Sequence, residues 1–303
     1  AASDVYKRQP LGLPNTLALP NLMLYRASFT LEDVFAGITD LLRQARQPML
    51  AYLHLWPPHE PYRPHREYVG RFDDDWRPEA KEPHVLAPGQ AQKNLDTWRR
   101  EYDAYLAHTD AEFGRLYDSL RETGFLDNSY VVITSDHGQL FERGVHGHET
   151  ELLYEPVIHV PLLIARPGQQ WREDVYSPTS TVDLLPTLLH AIGLPIPGWC
   201  EGLVLPTSGP GKSVSERPIF SVEAKRNAAH GPLTIGTVAL IRDQYKLIHY
   251  FGYPACEHGY ELYDLANDPE ELDDLFSSKR SIATDLRYEL AEKLEEVNEP
   301  YRR

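Results

Sequence analysis

Residues 129–166 read SYVVITSDHGQLFERGVHGHETELLYEPVIHVPLLIAR, and the rest of the chain is organised around them. The stretch opens on Tyr130-Val131-Val132-Ile133-Thr134, a short β-branched run between polar flanks, which predicts a buried strand. It then breaks at Ser135-Asp136-His137-Gly138. A carboxylate and an imidazole thus stand just past a strand's carboxyl end, the place where open α/β sheets bind ligands. Gly138 allows a sharp turn or a close backbone approach. A second apolar run, Val160 to Ile164, predicts another strand, and His146, Gly147, His148 and Glu149 lie between the two. Asp136 and His137 read as half of a metal-assisted hydrolase site.

Working outward, Leu31 to Arg46 carries apolar residues at helical spacing, with Thr30 as N-cap and Asp33 completing a variant capping box. Pro48 to Leu55 predicts a buried strand running into Trp56-Pro57-Pro58-His59-Glu60-Pro61-Tyr62, where the prolines end it. His59 therefore also follows a strand end. Gln90 to Gly124 is the longest predicted helix, with one apolar face from Leu95 to Leu120 and a C′ stop at Gly124. Strand, helix, strand over 48–55, 90–123 and 129–134 is the pattern of a parallel βαβ unit. Asp183 heads a further helix at 181–189. Residues 194–217 are rich in Gly and Pro and read as a linker. Short strands are predicted at 218–222, 237–242 and 245–251, the last two joined by a turn at Asp243-Gln244, and Ile282 to Val297 predicts a terminal helix.

The 303 residues carry 45 acidic and 30 basic side chains, a formal net charge of −15. Without clustered Lys and Arg, a nucleic-acid partner is excluded. No apolar stretch approaches a membrane span. Cys200 and Cys256 fit no metal spacing and leave a disulfide or two thiols open. Ala1 to Gln9 (AASDVYKRQ) has no start or secretory signal and reads as translated adapter sequence. Pro10 to Arg26 reads as loop.

Five segments now resemble the sulfatase family of the alkaline phosphatase superfamily: AYLHLWPPHEPYRP (51–64), VVITSDHG (131–138), LYEPVIHVPLLIARPG (153–168), STVDLLPTLLHAIGLPIP (180–197) and YELYDLANDPEELDDL (260–275). The resemblance implies an α/β fold with a mainly parallel sheet flanked by helices and a small C-terminal α+β subdomain. Residues 10–205 would form the C-terminal part of the catalytic domain, and 206–303 the subdomain. It implies sulfate-ester hydrolysis, with Asp136 and His137 as ligands of a divalent metal. Calcium is the first expectation; Mn2+, Mg2+ and Zn2+ are the alternatives that an imidazole ligand admits. His59 matches the family histidine facing the substrate.

One departure from the family concerns lysine. Sulfatases place a Lys contacting the sulfate in the region of His146 and His148, and no Lys lies between Ser135 and Arg166. Either histidine is then a candidate substrate contact, His148 ahead of His146. His54 reads as structural and His159 as packing. Arg143 and Lys225 are lesser substrate candidates, set against ordinary surface charge, and the acidic run 268–274 reads as a solvated turn and helix start.

A second departure concerns the nucleophile. Sulfatases carry a Cys- or Ser-x-Pro-x-Arg segment whose Cys or Ser becomes formylglycine, and an aspartate pair near the amino terminus. Neither occurs here, so the chain reads as a fragment that is inactive by itself. The expected substrate is a sulfated small molecule or carbohydrate, and the resemblance points to a periplasmic or secreted protein. Two alternatives stay open: a phosphonate monoester hydrolase or phosphodiesterase of the same superfamily, and a non-catalytic pseudo-sulfatase.

Overall fold

The β-branched run of the opening stretch forms β1 (Val131–Thr134), and its apolar counterpart forms β4 (Leu162–Ala165). They pair antiparallel, Val131 opposite Ala165 and Thr134 opposite Leu162. The computed structural model describes residues 30–73, 79, 81–205 and 217–301. The expectations for Pro10 to Arg26 and for the centre of the 194–217 linker fall outside those residues.

Two helices pack against each other. In α1 (Leu31–Gln44), the Asp33 N–H donates to Thr30 Oγ1 at 3.2 Å and the Thr30 N–H donates back to the Asp33 carboxylate at 3.3 Å, the expected capping box. α2 (Gln92–Glu122) ends as its sequence predicts: Gly124 adopts φ +70° and the Phe125 N–H donates to the Leu120 carbonyl at 3.0 Å. The apolar faces meet through Leu31, Phe35, Ile38 and Leu42 against Tyr105, Leu116 and Leu120.

The expected strand at 48–55 does not form. Among the described residues it has no ladder partner, and Leu50 and Tyr52 are 89% and 83% exposed. A strand unpaired on both edges leaves its backbone to water. Every strand pair among the described residues is antiparallel, so the parallel βαβ unit expected across 48–134 is not seen there.

A hairpin that the sequence does not announce follows β1. Its strands are β2 (Leu140–Glu142) and β3 (Val145–Gly147), joined by Arg143-Gly144 with φ +51° and +80°. Positive φ at both turn positions is the type I′ arrangement, whose usual signal is Asn-Gly or Asp-Gly. Arg in the first position hides it. A one-turn helix, α3 (Glu155–Ile158), precedes β4. Later, α4 (Leu184–Ala191) starts from a 3-10 turn at Thr181–Asp183. The Asp183 carboxylate accepts the Ser180 N–H at 2.9 Å and the Leu203 N–H at 2.8 Å, and pairs with Arg217.

The C-terminal region is an antiparallel meander: β5 (Ile219–Glu223), β6 (Gly236–Arg242), β7 (Tyr245–Tyr253) and β8 (Cys256–Asp264). β6 and β7 turn at Asp243-Gln244 as predicted. Side chains alternate strictly between the two faces. Val238, Leu240, Leu247, Phe251 and Leu262 face Ala283, Leu286 and Leu290 of α5 (Arg280–Asn298). Ala239, Ile248, Tyr250 and Tyr263 face Leu140, Val145, Leu152, Leu153, Tyr154 and Val157. This sheet is therefore the backing of the segment that carries the histidines.

The sheet is also ionically tied to that segment. Lys246 on β7, with no exposed side-chain surface, holds Glu155 at 2.9 Å and Glu271 at 2.7 Å. Glu271 accepts the Glu155 N–H at 2.7 Å, and Arg143 reaches its carbonyl while lying over the Tyr154 ring. The expectation of a solvated turn at 268–274 holds for Glu270, Asp273 and Asp274, which are exposed, and is corrected at Glu271, which is 1% exposed; no helix starts there. Arg143 is likewise buried, so it is neither surface charge nor an open substrate contact. No described helix is long and apolar enough to cross a membrane.

Candidate active site

Three separate elements deliver the site. β1 ends at Asp136-His137, the turn after Trp56 brings His59, and the hairpin's exit brings His148. Gly138 makes the convergence possible: its N–H donates to the Val157 carbonyl at 2.7 Å, and a Cβ there would lie 2.1 Å from the Pro156 oxygen. Only glycine lets the SDHG loop press onto α3.

The three imidazoles share one orientation logic. Nδ1 of His137 lies 2.8 Å from the Gly138 carbonyl, and Nδ1 of His59 lies 2.8 Å from the Glu60 carbonyl. A carbonyl only accepts, so each Nδ1 carries the hydrogen and each Nε2 keeps its lone pair. His148 Nδ1 meets the Gln139 side-chain oxygen at 3.2 Å, with the same result. His137 and His148 stack at 3.6 Å between centroids, and His59 stands edge-on to both, at 5.1 Å from His148 and 6.4 Å from His137. Burial pushes the His148 imidazole down to about 4, helped by the neighbouring His137 and His59. It is neutral near pH 7, so it offers an acceptor where a lysine would offer charge.

Asp136 is largely exposed. One carboxylate oxygen stands 3.7 Å from His137 Nε2 and the other 3.9 Å from His54 Nε2. His54, expected to be structural, is therefore a neighbour of the site. The residues fit a cation: an exposed carboxylate beside an imidazole whose other nitrogen is anchored on a carbonyl is how proteins present metal ligands.

Among the described residues, one group of three His, Asp or Glu side chains has donors within 4.8 Å of one another: Glu32, His108 and Glu112, between α1 and α2. It does not fit a cation as well. The His65 N–H donates to His108 Nδ1 at 3.1 Å, so Nε2 bears the hydrogen and donates to Glu32 at 3.3 Å, while Arg115 takes Glu112. This is a closed hydrogen-bonded network.

His146 lies apart from the cluster. It stacks on Trp98 at 4.4 Å, and its Nε2 takes the Tyr62 hydroxyl at 3.2 Å. Burial lowers its pKa as well. Gln139 donates to that same hydroxyl at 2.7 Å, so one glutamine orders both loop histidines through Tyr62 and His148. Sequence reasoning missed Gln139; its only signal is its place directly after SDHG. His159, expected to pack, is 78% exposed, with its Nδ1 3.3 Å from the Glu155 carboxylate. Both cysteines are free thiols.

A strand-end carboxylate and imidazole pair, with further histidines converging on it, sits here on an alkaline-phosphatase-like fold. Solved structures share that fold. A phosphonate monoester hydrolase of Agrobacterium radiobacter superposes with a TM-score of 0.71 at 21% identity, covering 90% of this chain and 62% of its own. A protein in complex with its substrate D-glucosamine-2-N,6-O-disulfate gives 0.65 at 19% identity, covering 90% and 70%. The chain belongs to the sulfatase family: the Sulfatase profile matches residues 8–194, and the profile described as N-sulphoglucosamine sulphohydrolase, C-terminal, matches residues 144–300. Arylsulfatase K of Bos taurus is 31% identical over 210 residues, 66% of this chain and 37% of that protein. The chain thus spans little more than a third of that relative. Sulfatases as a family use a divalent metal.

Proposed function

We propose that the intact protein hydrolyses a sulfate ester, with a sulfated small molecule or carbohydrate as substrate. The observation that carries this is the meeting of Asp136, His137, His59 and His148 at the end of β1 in a chain of the sulfatase family. Asp136 and His137 would hold the cation, calcium before manganese, magnesium or zinc, which supplies positive charge against the ester oxygens. His59, fixed through Nδ1 on the Glu60 carbonyl, presents Nε2 to the leaving oxygen and hands it a proton when both nitrogens are protonated. His148, with Nε2 unprotonated, accepts a hydrogen bond from the substrate. His146 is a positioning residue that holds Tyr62, and through it Gln139 and His148. Neither Cys200 nor Cys256 stands in a Cys-x-Pro-x-Arg setting, so neither is the formylglycine nucleophile of this reading.

Hydrolysis of 4-nitrophenyl sulfate by the intact protein tests the reading. Asp136→Ala and His59→Ala are each expected to lower kcat/KM by roughly 100-fold. Full activity in Asp136→Ala would overturn it. The 303-residue chain alone is expected to give no turnover with calcium present. The fold shared with a phosphonate monoester hydrolase supports a second reading, and a higher rate on a phosphodiester than on the sulfate monoester would favour it.

A further inference from the structure

Glu60 follows His59 directly, and its two ends act on different histidines. Its carbonyl accepts from His59 Nδ1 at 2.8 Å and from the Trp56 indole N–H at 3.4 Å. Its carboxylate stands 3.7 Å from His146 Nδ1. From His146 a chain of hydrogen bonds runs to the cluster. His146 Nε2 meets the Tyr62 hydroxyl at 3.2 Å, that hydroxyl takes the Gln139 amide N–H at 2.7 Å, and the Gln139 oxygen faces His148 Nδ1 at 3.2 Å. Trp98 stacks on His146, and Tyr102 and Phe141 flank the Tyr62 ring at 5.6 and 6.3 Å, so the links are held by packing.

Such a chain points one of two ways. Tyr62 has one hydrogen, which burial keeps on the oxygen by pushing its pKa up. His146 is neutral near pH 7, because burial outweighs the Glu60 and Glu101 carboxylates and lowers its pKa. With the His146 hydrogen on Nδ1, its Nε2 accepts from Tyr62, Tyr62 accepts from Gln139, and the glutamine oxygen takes the hydrogen of His148 Nδ1. With the His146 hydrogen on Nε2, every bond reverses, the Gln139 amide turns over, and His148 carries its hydrogen on Nε2. Successive bonds polarise one another, so the chain keeps one direction throughout. A carboxylate beside His146 Nδ1 accepts and cannot donate, which selects the first direction.

We propose that Glu60 is a positioning residue whose carboxylate, acting through His146, Tyr62 and Gln139, fixes the hydrogen of His148 on Nδ1 and leaves Nε2 free to accept. For its effect on the reaction, the inference rests on the reading of His148 as a substrate contact. Reversal of the chain would turn that acceptor into a donor. The charges of Glu149 and Lys225 also reach His148, but with opposite sign, and leave the choice of tautomer to the chain.

Ring-nitrogen NMR of the 303-residue chain at pH 7.5, which distinguishes the two neutral tautomers of a histidine, tests this, with the His148 signals assigned from His148→Ala. Glu60→Ala is expected to lower the Nδ1–H tautomer of His148 from nearly the whole population to roughly half, since neither direction is then favoured. Glu60→Asp keeps the charge and should restore most of it. Tyr62→Phe keeps the ring and cuts the chain, and in that background Glu60→Ala should change nothing further. An unchanged His148 tautomer in Glu60→Ala, or an equal effect with and without the Tyr62 hydroxyl, overturns the proposal. Kinetics of the intact protein on 4-nitrophenyl sulfate separate it from the ester-site reading. If the tautomer shifts and KM rises about fivefold, the size of one hydrogen bond, both stand. If the tautomer shifts and neither kcat nor KM moves, Glu60 still sets the tautomer and His148 is no substrate contact. If the tautomer holds while His148→Ala lowers kcat/KM, the chain from Glu60 alone is wrong.

Discussion

His249 is buried against Tyr260, with rings 4.1 Å apart and nearly parallel, and neither of its ring nitrogens has a partner. Burial, with His258 and Arg287 nearby, pushes its pKa down to about 4. The unfolded chain takes up that proton near pH 6.5, while the folded chain takes it up near 4. Between those values the unfolded state binds more protons, so stability falls as pH falls from about 6.5 to about 4. His249→Phe keeps the stack and removes two unpaired polar atoms. Its melting temperature is expected to exceed that of the unsubstituted protein at pH 5, by more than it does at pH 7.5. At Gly138 the reasoning is steric. Gly138→Ala drives a Cβ onto the Pro156 oxygen and is expected to cost about 1–3 kcal/mol in urea unfolding. A variant of unchanged stability would show that the SDHG loop can retreat from α3.

Between elements, one tie is ionic. Lys246 of β7 reaches Glu155 at the start of α3 and Glu271 in the acidic turn, with no exposed side-chain surface of its own. Breaking one member of such a set leaves a charge without water or full pairing. Glu271→Leu is expected to destabilise by about 3 kcal/mol, and Lys246→Met with Glu271→Leu to recover part of the loss. Urea midpoints of the two variants decide this; a double variant weaker than the single one would show that Glu155 alone needs the lysine. The ELYDL-x-x-DP-x-E segment gains a physical meaning here. Its last glutamate, Glu271, fastens the C-terminal meander to α3, the short helix on which the SDHG loop rests.

At the scale of the molecule, the histidine segment is held between two bodies of unlike firmness. Behind it stands the four-stranded sheet, covered by α5 on its far face. In front, residues 48–55 run exposed and without a ladder. Hydrogen exchange should therefore be slowest in β6 and β7 and fastest along 48–55. Equal protection in both would mean that 48–55 is paired in solution. The His59 side of the site depends on that less supported segment, whereas Asp136, His137 and His148 depend on the firm one.

Periodicity and cap chemistry were legible in the sequence. Thr30 with Asp33, the Gly124 stop, the Asp243-Gln244 turn and both strands flanking the histidine loop are local decisions made by residues within a few positions of one another. The placement of Asp136, His137 and His59 at the ends of apolar runs was legible too, because the runs and the prolines that end them are adjacent in the chain. Strand pairing was not. Whether 48–55 becomes a strand depends on a neighbour, and periodicity carries no information about one. Nor could spacing separate His146 from His148, two residues apart on one loop. Only the folded molecule sends one to Trp98 and Tyr62 and the other to His137: residues two apart in an extended strand share a face, but Gly147 between them, at φ +107°, ends the strand and turns the chain, and what each side chain then meets comes from distant sequence.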